Sequence, residues 1–218
     1  MPRTLLLDLD GTLVDTVPDL WAALNRLMIS RGLAVFRVDE VAPMVGDGVA
    51  RLVEKAFAAR GLVPDAAAVT DFSRDYTAHV AVGSRPYPDV AETLRTLAAE
   101  GFRMAVCTNK PAAAARALLE ATGLLAFMAA VGAGDSFPVR KPDPRHLLAT
   151  LEAAGGEARR ALMVGDHAND VQAAKGAGMP CIFAAWGYGA PAMADGAAAV
   201  AQGIADVAAI SRRLLSDD

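Results

Sequence analysis

The stretch Thr4-Leu5-Leu6-Leu7-Asp8-Leu9-Asp10-Gly11-Thr12 opens with an apolar run that ends on an acid. Residues 4–8 are short, apolar and closed by a turn signal, the pattern of a buried strand. Gly11, just beyond, permits a tight backbone turn. Helical spacing then takes over. Pro18 stands in a first-turn position, Leu20, Ala23, Leu24, Leu27 and Met28 share one face, and Gly32 is a stop. Val49, Leu52, Val53, Ala56 and Phe57 repeat that spacing up to Gly61, and Val69, Phe72, Tyr76 and Val80 do so more weakly. Nothing between Asp15 and Val82 has a strand signature, so this part is predicted to be a small helical bundle.

Strands return after Pro86 and Pro88. A helix carrying Val90, Leu94, Leu97 and Ala98 stops at Gly101, and an apolar strand follows over 102–107. The helix opened by Pro111 and stopped by Gly123 leads to a short strand over 128–131. Asp143-Pro144 begins a helix with Leu147, Leu148 and Leu151. Residues 161–165 and 181–184 are predicted strands, 169–178 and 204–215 predicted helices. Strands alternating with crossover helices predict an α/β fold, a parallel sheet covered on both faces. Residues 1–14 and 83–218 then form the core, and 15–82 an all-helical insertion after the first strand.

At 218 residues, 54% hydrophobic and 21% charged, the chain fits one globular unit or a core with a modest insertion, and not a disordered chain. Alanine supplies about a fifth of it, so small helix-forming side chains account for much of the apolar fraction. The net charge is −4, with no basic stretch of the kind that binds nucleic acid. Cys107 and Cys181 each lie in an apolar run, as buried thiols in a reducing compartment do. The charge-free stretch between Lys175 and Asp195 is long enough to cross a bilayer. However, Gly176, Gly178, Pro180, Gly187, Gly189 and Pro191 break it into a turn, a strand and a Gly-rich loop. Lacking a signal-peptide pattern at its start, the chain is expected in the cytoplasm, without membrane or nucleic-acid partners, as a monomer or homodimer.

Ligands of open parallel sheets bind beyond the carboxyl ends of the strands. Asp8, Thr108 and Asp166 fall at or within about a residue of such ends, with Asp10 and Asp170 close by. Singly, each acid is as well explained as a helix cap or a solvated loop charge. Together, as many as four carboxylates would meet, each pair about 4 Å apart repelling by roughly 4 kcal/mol at an effective dielectric of 20. Such a cluster calls for protonation or a cation. An all-oxygen set suits Mg2+, and no Cys/His spacing competes for a softer metal.

The segment Asp8-Leu9-Asp10-Gly11-Thr12-Leu13-Val14-Asp15-Thr16 resembles the first motif of haloacid dehalogenase-superfamily phosphatases. Thr108-Asn109 resembles the second, Lys141-Pro142 the third, and Gly165-Asp166-His167-Ala168-Asn169-Asp170 the fourth. The resemblance covers essentially the whole chain and implies a Rossmann-like core with a mobile helical cap of the first type. Val45-Gly46-Asp47-Gly48, Pro86-Tyr87-Pro88 and Trp186-Gly187-Tyr188-Gly189 look like the phosphoglycolate phosphatase branch. Asp89 departs from it, since relatives often carry glycine there.

The resemblance implies Mg2+-dependent hydrolysis of a small phosphorylated metabolite, 2-phosphoglycolate first, through an aspartyl-phosphate. Asp8 is then the nucleophile, and Asp10 the acid that protonates the leaving oxygen and afterwards the base that activates water. Asp8, Asp166 and the Asp10 carbonyl would bind the metal, with Asp170 behind them holding a metal-bound water or Lys141. The Thr108 hydroxyl, the Asn109 amide, the Gly11 N–H and Lys141 would grip the phosphoryl group. Gly46 and Gly48, ahead of a helix, would offer N–H groups to a small carboxylate, assisted by Arg51; a helix-capping Asp47 and a solvated Arg51 are the plainer readings. His167 is expected as a site-wall residue, and His79 and His146 as structural or surface ones. Another small phosphomonoester, pyrophosphate, a phosphomutase and a non-catalytic metabolite sensor are the alternatives. Asp10 beside Asp8 disfavours dehalogenation, which does not need the second acid, and a pure binder, which has no use for it.

Overall fold

The structure, a computed structural model, describes residues 2–216. The first strand, β1 (Thr4–Leu7), is followed by a two-residue β2 (Val14–Asp15) and the helices α1 (Val17–Ser30), α2 (Val38–Val41), α3 (Val49–Ala58) and α4 (Ala68–Ala78). The chain returns through β3 (Arg85–Pro86), α5 (Val90–Ala99), β4 (Arg103–Cys107), α6 (Ala112–Ala121) and β5 (Met128–Gly132). It ends with α7 (Pro144–Ala153), β6 (Ala161–Gly165), α8 (Ala168–Gly176), β7 (Cys181–Ala184), β8 (Ala199–Ala201) and α9 (Ile204–Leu214).

Six strands form one parallel sheet in the order β5-β4-β1-β6-β7-β8. The chain builds outward on one side of β1, then crosses to the other, which is the doubly wound arrangement. Leu7 lies opposite Val106 on one side and Val164 on the other. This register brings Asp8, Thr108 and Asp166, each just past those residues, to one edge.

Both faces of the sheet are covered, so its strands are continuously apolar rather than alternating. Leu5 and Leu7 pack with residues of α5, α6 and α9, while Leu6 faces α7 and α8. The second layer is made of small side chains such as Ala105, Cys107, Ala161, Ala173, Ala174 and Cys181. Much of the alanine therefore lets helices approach the sheet closely. Both cysteines are free and buried. Burial pushes the Cys107 thiol up to about 12, which leaves it a small apolar filler.

Leu20, Leu24 and Met28 of α1 pack with Leu52, Val53 and Phe57 of α3 and with Phe72 and Tyr76 of α4, whose rings stack at 5.8 Å. The structure adds four strands and helices to the expected ones. β2 and β3 pair antiparallel where the chain leaves and re-enters the core, α2 is a single turn, and β8 extends the sheet. Two-residue strands and Ala-Val-Ala are too short to carry a pattern. The crossing is clamped by Asp19 of α1, which accepts from Gly83 N (2.7 Å), Ser84 N (2.8 Å) and Ser84 Oγ (2.6 Å). No helix among the described residues is long and apolar enough to cross a membrane; the charge-free stretch is the end of α8, β7 and a Gly-rich turn.

Asp89 precedes α5 in the left-handed region, with φ 64°. A side chain there is strained and glycine is not. Asp89→Gly is expected to raise unfolding free energy by up to about 1 kcal/mol in urea denaturation. A lowered midpoint would show that the Asp89 carboxylate stabilises this turn by more than its strain.

Candidate active site

Asp8 leaves the end of β1, and Asp166 the end of β6. Asp170 stands in the first turn of α8, where its Oδ2 accepts from His167 N at 3.0 Å and closes a capping box. One oxygen of each acid lies within 4.8 Å of the others, and all three side chains are buried. Lys141 is driven between them. Its Nζ donates to Asp170 Oδ1 (2.6 Å) and the Cys107 carbonyl (2.8 Å), and lies 2.9 Å from Asp8 Oδ1. That Asp8 oxygen receives no well-directed hydrogen bond among the described residues. The loop is held at both ends, because Lys141 N donates to His146 Nδ1 (3.2 Å) and Asn109 Nδ2 donates to the Lys141 carbonyl (3.0 Å).

One ammonium does not neutralise three buried carboxylates. Burial, then the charges of Asp8 and Asp170, push Asp166 up to about 7. Burial likewise raises Asp170 against the opposing pull of Lys141. Burial works to lower Lys141, but Asp170 and Asp8 outweigh it and keep the ammonium charged. The uncompensated charge and the all-oxygen donor set fit a hard divalent cation. Gly11, with φ 81°, runs against this cluster, and a Cβ there would collide with the Asp166 carboxylate. Asp166 is itself fixed by Thr12 Oγ1 (3.2 Å) and Tyr188 N (2.7 Å). The Tyr188 hydroxyl donates to Asp15 Oδ1 (2.7 Å) and accepts from Thr16 N (2.6 Å), so one residue joins this acid to the crossing between core and helices.

Asp10 points elsewhere. Lys110 Nζ donates to its Oδ1 (2.8 Å) and to the Tyr76 hydroxyl (2.6 Å) of α4. Nothing in the sequence singled out Lys110 or Tyr76; Tyr76 reads as one more apolar position of its helix. Two expected phosphate contacts are corrected. The Gly11 N–H is committed to the Val14 carbonyl at 3.0 Å, which closes the turn. The Asn109 amide group is committed to the carbonyls of Lys141 and Gly46. The N–H groups of Leu9, Asp10 and Asn109 have no acceptor among the described residues. Thr108 Oγ1 accepts from Lys110 N (3.3 Å), which leaves its own hydrogen to donate.

A cavity lies over Asp8 and Asp10, walled by Val45, Gly46, Gly48, Val49, Leu52 and Tyr76 from the helical segment and by Thr108 to Lys110 from the core. The Gly46 carbonyl accepts from both Asn109 Nδ2 (3.2 Å) and Asn169 Nδ2 (3.0 Å), which seats this loop on the core. A Cβ on Gly46 would run into the His167 ring at 2.7 Å. Arg51 is corrected: its side chain is 60% exposed and pairs with Glu54, because Val49, Leu52, Val53 and Ala56 occupy the inward face of α3. Asp47 pairs with Lys55 (2.8 Å) rather than capping α3. His79 is exposed beside Asp75, and His146 is buried behind Lys141.

A doubly wound parallel sheet that carries a buried carboxylate cluster and a lysine at its carboxyl edge is the class that this geometry defines. A family model described as haloacid dehalogenase-like hydrolase matches residues 2–178. The chain is 44% identical over 187 residues to a phosphoglycolate phosphatase of Agrobacterium fabrum, covering 84% of this chain and 80% of that one. It is 43% identical over 189 residues to one of Caulobacter vibrioides, covering 85% and 80%. A crystal structure of a predicted phosphoglycolate phosphatase from Haemophilus somnus superposes with a TM-score of 0.86 at 30% identity, over 96% of this chain and 97% of that one. The chain belongs to the haloacid dehalogenase-like hydrolases, among those that cleave phosphoric monoesters.

Two outcomes are expected. A divalent cation at a hundred times its Kd should stabilise the protein by about 2.7 kcal/mol, seen as a raised melting temperature. Asp166→Asn should abolish that response and, without metal above pH 7, melt higher than the parent; a retained response would place the cation elsewhere. Burial holds His146 down at about 4, so it folds neutral, and stability falls as pH drops from 6.5 toward 4. His146→Gln should remove up to about 3 kcal/mol of that acid loss. Parallel pH profiles of parent and variant would show that His146 does not titrate between the two states.

Proposed function

We propose that the chain is a Mg2+-dependent phosphatase that hydrolyses 2-phosphoglycolate to glycolate and phosphate through an aspartyl-phosphate. The observation that carries the reading is Asp8: a buried carboxylate at the end of the central strand, beside Lys141 at 2.9 Å and in the lining of the cavity that the helical segment covers. Its relatives at 43–44% identity are named phosphoglycolate phosphatases, which supports the substrate.

In this reading Asp8, Asp166 and the Asp10 carbonyl would hold Mg2+, and Asp170 keeps Lys141 in place from behind. The ion supplies charge neutralisation at the phosphoryl oxygens. The N–H groups of Leu9, Asp10 and Asn109, the Thr108 hydroxyl and Lys141 surround the phosphoryl group and stabilise its charge during transfer. Asp8 attacks phosphorus, the phosphorus–oxygen bond to glycolate breaks, and Asp10 delivers a proton to the leaving oxygen. Asp10, now a base, takes a proton from water, which hydrolyses the acyl phosphate and restores Asp8. Residues 15–82 act as a cap that opens on the β2/β3 ribbon to admit substrate. Closure, with Gly46 seated between Asn109 and Asn169, excludes bulk water.

Phosphate release from a panel of phosphomonoesters, with and without Mg2+, tests the reading. 2-Phosphoglycolate is expected to be the preferred member, with activity lost on chelation. Asp8→Asn should lower kcat by at least about a thousandfold. Near-normal turnover by that variant would remove Asp8 as the nucleophile.

A further inference from the structure

The cavity over Asp8 is apolar on its helical side, with Leu20, Val45, Val49 and Leu52 against it. Lys110 is the one cationic side chain among its lining residues. This lysine is buried, and its charge is met by Asp10 Oδ1 at 2.8 Å and the Tyr76 hydroxyl at 2.6 Å, with the ammonium 4.4 Å from the Tyr76 ring centre. The Tyr76 hydroxyl accepts from Lys110, and its own hydrogen finds no acceptor among the described residues. A buried donor is rarely left unsatisfied without a reason. Two donors, an ammonium and a phenol, therefore stand side by side in the lining of the cavity.

We propose that Lys110 and Tyr76 form the recognition site for a carboxylate on the part of the substrate that is not transferred, and that this carboxylate takes Lys110 away from Asp10. The inference rests on the phosphatase reading above and deepens it by naming the substrate class. Asp10 must reach the leaving oxygen, and Lys110 Nζ is one hydrogen bond from Asp10. The ammonium thus reaches atoms only a few bonds beyond the ester oxygen, and that distance selects phosphate esters of α-hydroxy acids. A carboxylate there accepts one bond from Lys110 and one from Tyr76, and its charge replaces that of Asp10 beside the ammonium. Asp10 Oδ1 is then released toward the leaving oxygen. An ester without the carboxylate finds Asp10 still engaged and the phenol hydrogen still unpaired. Before the exchange burial works to lower Lys110, but Asp10 and Tyr76 together outweigh it and keep the ammonium charged; after it the incoming carboxylate takes over the part of Asp10. Tyr76 comes from the helical segment and Lys110 from the core, so the site is complete only when the two are docked.

The test compares 2-phosphoglycolate with ethyl phosphate, which has the same chain length and no carboxylate, as a ratio of kcat/KM values. The parent enzyme is expected to favour 2-phosphoglycolate strongly. Lys110→Met should reduce that ratio by about 10- to 100-fold, and Tyr76→Phe by about 3- to 10-fold, with the loss lying mainly in turnover of 2-phosphoglycolate. Tyr76→Phe keeps the ring packing and decides the matter if Lys110→Met does not fold. A parent preference that survives in both variants overturns the inference and leaves the phosphatase reading standing. A parent that does not distinguish the two esters, while still hydrolysing other phosphomonoesters, overturns the proposed substrate and the recognition site with it.

Discussion

Buried like charge is the constraint from which the site follows. Asp8, Asp166 and Asp170 are brought together by the parallel register, which leaves the ends of β1 and β6 side by side. Lys141 answers part of that charge and is fixed by three separate partners in turn, Asp170, the Cys107 carbonyl and the His146 ring beneath its backbone. Removal of one member of such a set leaves an unpaired buried charge, which costs more than the lost bond itself. The surrounding glycines, the capping box of α8 and the hydrogen bonds to Asp166 keep four charged groups in one place that they would otherwise leave.

The second acid of the first motif belongs to a different environment only two residues away. Asp8 faces the carboxylate cluster, whereas Asp10 faces Lys110 and the helical segment. The turn at Gly11 separates the two directions, because its N–H closes on Val14 and its bare Cα leaves room for Asp166. One short loop thus holds two carboxylates that each pair with a different lysine, Asp8 with Lys141 and Asp10 with Lys110.

Much of this was legible in the sequence, and the reason differs from part to part. The long helices and buried strands carry strong periodicity, so α1, α3, β4 and β6 lie within a residue or two of where the pattern puts them. Asp8 and Asp166 stand at strand ends, where topology alone makes them candidates, whereas Asp170 in the first turn of α8 and Lys141 in the loop before α7 are singled out by the motifs they belong to. What stayed hidden depends on where donors and side chains point. The Gly11 N–H and the Asn109 amide are both present where expected, yet each is consumed by an internal bond. Arg51 sits one residue from the pocket face, and helical rotation turns it to solvent. Lys110 and Tyr76 are 34 residues apart and meet only through docking of two segments, a pairing that no local pattern encodes.

The clasp between the two segments has an asymmetry of its own. Its acceptor is the main-chain oxygen of Gly46, and its donors are the side chains of Asn109 and Asn169. A main-chain oxygen is present whatever side chain its residue carries, but a side chain at Gly46 would meet the His167 ring, so the fastening is exposed to replacement on both sides. Replacement of either asparagine would leave one bond of the pair intact, and the clasp can be weakened in graded steps rather than all at once.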